Sequence, residues 1–425
     1  MWRIGNNCIM SEYIKIFSFG SLLLFLFLLP FGLTIANVLL FVFIAGVLLN
    51  KKTYLCSFLK KLCGGEKYFL FFSAAYYFWC FLSLCWSDNC ERGLQLVGRY
   101  ILILILPFSF ISAKSNDIIK NVRLLNFAFI VGVLISSFVC IYFSYLEYYE
   151  EFKDTELLYD FYAIIVSISK GNSFFSYTYI SHFIHPSYYS LYFLYTIIVI
   201  LSELENCTTV KYKVLCVILI IYSLLFIYLL QSRSCFVTLI FISIVFLLRL
   251  NNKHKMFIIG LFILGLGSVL LITHSRFRSI IYVNSNNIEL NVNQNNRSII
   301  WHNALQVIKD NPILGVGIGD TDTELEKQYQ KNNLDFKYGT HNQYIYAQLS
   351  MGIVGLILLL AMLLVPFYYG IKNRYFPLIG FSVAVMINLL FENMLTRNAG
   401  LMFIPWATML LLMMSEEKKK EISNE

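Results

Sequence analysis

Apolar residues gather along this chain into long blocks broken by short polar stretches, rather than into the stripes or alternations of a water-soluble fold. The blocks fall at 14–30, 31–49, 68–86, 97–113, 124–145, 187–203, 212–230, 234–249, 256–273, 343–366, 375–391 and 400–414. A helix needs ~20 residues to cross a hydrocarbon core, and most of the blocks approach that length. Open sheet edges cannot satisfy their backbone in lipid, so the spans are expected to be helices. The expected fold class is all-α: a polytopic integral membrane protein of about 12 transmembrane helices. Residues 1–425 are expected to form a single membrane domain with an outer loop at 146–186 and a large polar loop at 274–341, between segments nine and ten.

Helical spacing resumes inside the large loop, after the Asn-rich run 284–296. Ile300, Trp301, Ala304, Leu305 and Ile308 share one face of a predicted amphipathic helix at the outer membrane surface. Asn295 or Asn296 is its expected N-cap, and Pro312 lies beyond its end. Gly315, Gly317 and Gly319 then form a pliant turn, and a second polar helix is predicted from Asp320 or Thr321. Thr340 and Gln343 have the spacing of a capping box for the tenth membrane helix, which would put His341 in its first turn.

The 58% hydrophobic and 17% aromatic content excludes an ordinary soluble domain. Basic residues orient the chain: 20 of the 33 fall in loops that share a side with the N-terminus, so both termini are expected in the cytoplasm and the large loop outside. The net charge of +8 is then mostly a topology signal. No soluble segment interleaves basic and aromatic residues, so nucleic acid is not an expected partner. The ten cysteines form no CxxC pair and no Cys/His ligand spacing, and no metal or cofactor is expected. The first apolar block has no small-residue cleavage site after it and is expected to stay as an anchor.

Candidate chemistry gathers at the outer ends of the segments. Arg297 in the first turn of a helix opposes the macrodipole unless an anion docks there, where free N–H groups and the guanidinium would converge on it. Headgroup contact is the plainer alternative. Arg233, in the short QSRS turn, is costly at the membrane plane unless it faces a cavity or a partner. Arg276 and Arg278 suit interface anchors. His341 at the outer mouth could accept a proton or orient a hydroxyl, and Glu392 could pair with one of the arginines. His182 and His185 have no third ligand and are read as structural. The run Gly315-Val316-Gly317-Ile318-Gly319 lacks the Lys-Ser/Thr ending of a phosphate loop, and no nucleotide site is expected. Gly352 and Gly355 are expected to allow close helix packing.

The order of these pieces resembles the O-antigen ligase/polymerase superfamily of bacterial envelope enzymes. The resemblance rests on Asn296-Arg297-Ser298-Ile299-Ile300-Trp301, on Asp310-Asn311-Pro312-Ile313-Leu314-Gly315-Val316-Gly317, and on His341-Asn342 followed after nine residues by Gly352-Ile353-Val354-Gly355. Ser232-Arg233-Ser234 is similar to the family's Arg at a membrane helix end, although Val237 stands where ligases often carry Leu. Trp86-Ser87 followed by Arg99, and His185-Pro186, are looser similarities. The motif-dense region covers about residues 230–395.

The resemblance implies a metal-independent, inverting glycosyltransferase of the bacterial inner membrane, acting at its periplasmic face. The implied donor is a glycan on undecaprenyl diphosphate, and the acceptor a sugar hydroxyl of lipid A–core or a related glycan, with membrane lipids around it. Arg297 and Arg233 would hold the diphosphate and His341 would serve the acceptor hydroxyl. Trp301 and Glu392 complete the implied substrate-binding set. A Wzy-type repeat-unit polymerase would use the same donor, but its paired Arg-x10-Gly motifs are absent around Arg276, Arg278 and Arg297. A transporter or flippase is the reading from another class, and it predicts midplane charges and a repeat that this chain does not show.

Overall fold

The computed structural model describes residues 2–32, 34–49, 62, 64–113, 118–155, 174–249, 296–335 and 337–424. The expected segment 256–273, residues Arg276, Arg278 and Asn295, and part of the 146–186 loop lie outside them. In chain order the helices are α1 (Trp2–Leu28), α2 (Thr34–Leu49), α3 (Gly64–Leu82), α4 (Cys90–Ala113), α5 (Val122–Phe152) and the single turn α6 (Tyr177–Ile180). They continue with α7 (Pro186–Asn206), α8 (Val210–Leu230), α9 (Arg233–Arg249), α10 (Asn296–Asp310), α11 (Thr321–Lys331), α12 (Gln343–Lys372), α13 (Phe376–Phe391) and α14 (Asn398–Asn424). Among the described residues there is no strand. Among the described residues eight helices are long and apolar enough to cross a membrane, and shorter apolar helices span Thr34–Leu49, Arg233–Phe246 and Phe376–Phe391. Together they coincide with every expected block except 256–273. The chain is an all-helical polytopic membrane protein.

The chain divides by contacts into two compact units, one of Met1–Lys61 and Ile111–Tyr282, the other of Leu62–Phe110 and Val283–Glu425. In the first unit, close packing rests on small residues, as expected where lipid removes the hydrophobic drive between helices. A Cβ at Gly132 of α5 would lie 2.2 Å from the Phe27 carbonyl oxygen of α1, so only glycine permits that approach. Buried hydroxyls join α5 to α7: Tyr195 donates to Asn126 Oδ1 at 2.8 Å, and Ser136 lies 2.6 Å from the Tyr189 hydroxyl. Pro186 opens α7 and His185 caps it, its Nδ1 accepting from Ser187 N at 3.4 Å.

In the second unit α12 packs against α3 and α13, and it is broken at Gly352 (φ 65°, ψ −167°). An ordinary helix would leave no free carbonyl here, whereas the break frees those of Leu349, Ser350 and Met351. The Pro312–Gly317 segment takes up two of them: Val316 N donates to Leu349 O at 2.9 Å and Gly317 N to Ser350 O at 3.0 Å. Trp79 Nε1 donates to Met351 O at 2.9 Å, and Ile353 N turns to Pro312 O at 3.0 Å. Irregular backbone at a membrane helix persists when protein groups satisfy it in this way. The two glycine motifs are therefore halves of one backbone clasp. Gly352 was expected to permit helix packing. Its actual role is to open the helix, because its φ/ψ lies in a region that only glycine occupies readily.

Candidate active site

The site is built in the second unit around a turn whose cap differs from the expected one. Asn342, not Thr340, caps α12: its Oδ1 accepts from Tyr344 N at 3.0 Å and Ile345 N at 3.2 Å. Asn is at least as good an N-cap as Thr. The residues expected to form the capping box are used elsewhere. Thr340 Oγ1 lies 3.0 Å from Asn393 Oδ1, and Gln343 Oε1 accepts from Leu395 N at 2.9 Å. His341 consequently stands just before the helix rather than in its first turn, with φ at +46°. His tolerates the left-handed region better than most residues, and the bonds of Thr340 and Asn342 on either side hold it there.

His341 Nδ1 sits 3.4 Å from both oxygens of Glu392, whose side chain is 14% exposed against 38% for His341. Thr340–Asn393, His341–Glu392 and Gln343–Leu395 thus stitch the start of α12 to the turn between α13 and α14. A ring that points Nδ1 at a carboxylate leaves Nε2 free to take a proton.

Arg297 occupies the first turn of α10, as expected, and its guanidinium carbon lies 5.8 Å from the centre of the Phe391 ring, one residue before Glu392. The buried face of α10 is Ile300, Ala304, Val307 and Ile308, packed with Leu325 and Tyr329 of α11 and Leu349 of α12. Leu305, expected on this face, is 52% exposed. It lies 100° round the helix from Ala304, and α11 and α12 cover only the nearer side. Trp301 packs at the edge of this cluster, and its indole N–H donates to the Thr340 carbonyl at 2.9 Å. Trp301 therefore holds the turn that carries His341. Burial pushes the Tyr329 phenol up, so it stays protonated and donates to Tyr338 O at 3.1 Å.

His341 and Glu392 line a cavity of about 580 Å³, together with Arg92, Arg99, Asp322, Glu326, Lys337, Tyr338, Asn393 and Arg397. Most of these were missed from the sequence. A signal existed for some: Arg92, Leu96 and Arg99 recur at helical spacing on α4, and Asp322 and Glu326 are one turn apart on α11. Nothing local singles out Lys337 or Arg397. Asp320 was missed as well. Although it precedes α11, it does not cap that helix with its side chain. Its buried carboxylate instead accepts from Ser87 Oγ at 2.7 Å, Asp88 N at 2.6 Å and Asn89 N at 2.9 Å, which fixes the approach to α4. Gly319 is needed there, since a Cβ would lie 2.1 Å from Asn89 O. The Gly315–Gly319 run is thus a structural clasp.

The structure brings Arg297, Trp301, His341 and Glu392 into one unit. Arg233 belongs to the other, where it is the first residue of α9, with its side chain half-buried after the left-handed Gln231. His182 lies in that first unit too, with Nε2 3.1 Å from Ser144 Oγ and Nδ1 4.0 Å from Glu147.

Residues 218–360 match the family model described as O-antigen ligase, a stretch that contains Arg233, Arg297, Trp301 and His341. A protein of Haemophilus influenzae (strain ATCC 51907 / DSM 11121 / KW20 / Rd), described as uncharacterized, is 31% identical over 145 residues. That similarity covers 31% of this chain and 36% of the relative, so the chain spans little more than a third of its length. Over residues 218–360 the chain is similar to the O-antigen ligase family.

Proposed function

We propose that this protein is a metal-independent, inverting glycosyltransferase that moves a glycan from undecaprenyl diphosphate to a sugar hydroxyl of lipid A–core or a related acceptor. Its site would face the periplasm from the bacterial inner membrane, with both termini in the cytoplasm. The observation that carries this reading is the His341–Glu392 pair, which lines a cavity shared with Arg92, Arg99, Lys337 and Arg397, His341 lying within the family-matched stretch.

In the proposed reaction the acceptor hydroxyl oxygen bonds to the anomeric carbon from the face opposite the diphosphate, and the bond from that carbon to the diphosphate oxygen breaks. The hydroxyl proton passes to His341 Nε2, while Glu392 orients the ring and offsets the imidazolium charge. The electron pair leaves with the polyprenyl diphosphate, and the Arg297 guanidinium, at a helix N-terminus, stabilises that growing charge. Guanidinium groups can supply the positive charge that a metal would otherwise provide. Arg233 keeps the diphosphate-binding role that the resemblance implies, to be tested by its own substitution. Trp301 serves as a positioning residue through Thr340.

A repeat-unit polymerase would use the same donor and differ in its acceptor. A surface-glycolipid gel of a deletion strain separates the two, with complementation by wild type, Arg297→Ala, Arg233→Ala or His341→Ala at matched protein levels. We expect core without glycan and accumulated lipid-linked polymer from each variant. Core carrying a single repeat would assign a polymerase, and full ladders from all three variants would overturn the proposed mechanism.

A further inference from the structure

The cavity beside His341 has features that proton transfer does not require. Of its basic side chains, Arg92 is paired with Asp322 at 3.4 Å. Arg99, Lys337 and Arg397 are exposed and have no ion pair among the described residues. They come from three separate places: α4, the segment before α12, and the residue ahead of α14. Such convergence differs from the solvated face of one helix, where like charges would simply spread into water. Once Arg92–Asp322 and His341–Glu392 are paired, Glu326 is the one carboxylate left among the described residues lining the cavity to balance these three cations.

Volume and position narrow the ligand. About 580 Å³ lies within the ~300–1,000 Å³ typical of small-ligand sites, and leaves room for sugar rings beyond any single anion. Asn393, Asn398, Tyr338 and Glu326 supply hydrogen-bonding groups of the kind that hydroxyls use. Arg297, the residue assigned to the donor's diphosphate, does not line this cavity. Three cations converging on one space suit a phosphate monoester, with ≈ −1.5 to −2 charge and three acceptor oxygens, better than a singly charged carboxylate.

We infer that this cavity is the acceptor subsite and that it selects a phosphorylated glycan, with Arg99, Lys337 and Arg397 holding the phosphate while His341 faces the reacting hydroxyl. The inference rests on the transferase reading above and adds the chemical class of its acceptor.

The test uses the full-length protein in lipid nanodiscs, with binding followed by calorimetry. The probes are core oligosaccharide released from lipopolysaccharide with its phosphates, the same oligosaccharide after dephosphorylation by hydrofluoric acid, and undecaprenyl diphosphate in the nanodisc lipid. Wild type should prefer the phosphorylated form. Arg99→Ala and Arg397→Ala should each weaken it by about tenfold or more, leave the dephosphorylated form unchanged, and leave undecaprenyl diphosphate unchanged. Arg99→Lys should recover part of the loss, and an unchanged thermal midpoint would exclude misfolding. Equal binding of the two oligosaccharides by wild type would overturn the inference. So would a fall in diphosphate affinity in Arg99→Ala and Arg397→Ala, which would assign these cations to the donor. Transfer from lipid-linked donor is measured on the same samples. A failed preference with transfer intact refutes only the acceptor assignment, whereas absence of transfer from wild type counts against the transferase reading itself.

Discussion

Replacing Gly352 by Ala should weaken the second unit by about 2–4 kcal/mol, from two causes. The φ of 65° and ψ of −167° place this residue where a side chain costs of order 1–3 kcal/mol. A Cβ there would also lie 2.0 Å from Ile313 O and 2.6 Å from Leu314 N, backbone atoms that cannot rotate away. Relief requires the Pro312–Gly317 segment to withdraw. That gives up the bonds Ile353 N to Pro312 O, Val316 N to Leu349 O and Gly317 N to Ser350 O, each worth about 1 kcal/mol net. A helix that closes through residue 352 recovers part of this, because Ile353 N can then donate to Leu349 O. The readout is the thermal midpoint of the full chain in nanodiscs, followed by tryptophan fluorescence. For a unit of this size the midpoint should fall by roughly 5–15 °C. Gly98→Ala is the control: its Cβ would meet nothing within 4 Å on α4, and Ala is the better helix former by ~0.8–1 kcal/mol. Its midpoint should equal or exceed that of wild type. A Gly352→Ala midpoint within about 1 °C of wild type would refute the clasp, since neither the strain nor the contact at Ile313 could then be present.

Asp320→Asn should cost about 2–4 kcal/mol, because one of two accepting oxygens becomes a donor facing the N–H groups of Asp88 or Asn89 in a buried site. Denaturation of the same nanodisc samples checks it, and an unchanged midpoint would mean that the carboxylate does not hold the approach to α4. Trp301→Phe keeps the packing on α10 but loses the bond to Thr340 O. It should therefore lower stability by only about 1 kcal/mol while reducing glycan transfer several-fold, through the His341 turn. A transfer rate equal to that of wild type at matched folded protein would remove Trp301 from a positioning role.

The membrane architecture was legible because each span carries its own signal. Some twenty apolar residues in helical form satisfy their own backbone, so length and composition are enough to mark α1, α3, α4 or α12 without knowledge of any neighbour. Local rules served the loop equally well: α10 starts and stops where its polar run, apolar face and Pro312 place it, and α11 follows the glycine turn. His341 and Glu392 could be singled out as ionisable groups at membrane segment ends, and Arg297 as a cation in the first turn of a helix, where it opposes the macrodipole.

Tertiary structure decided what those groups face. The same two glycine motifs are compatible with a pliant turn and a packed helix, or with a broken helix whose freed carbonyls are taken by a second segment. Only contact between residues 312–317 and 349–353 distinguishes them. The capping of α12 could equally have fallen to Thr340 or Asn342, and it fell to Asn342 because Gln343 is drawn to Leu395 and Thr340 to Asn393. The cavity was invisible for the same reason. Arg99 had only its helical spacing and a loose family similarity to mark it, and Lys337 and Arg397 had nothing; they become a site only because α4, the segment before α12 and the start of α14 meet around one space. Local propensity reaches about one helical turn along the chain, while the electrostatics of a site depends on charges brought together from hundreds of residues apart.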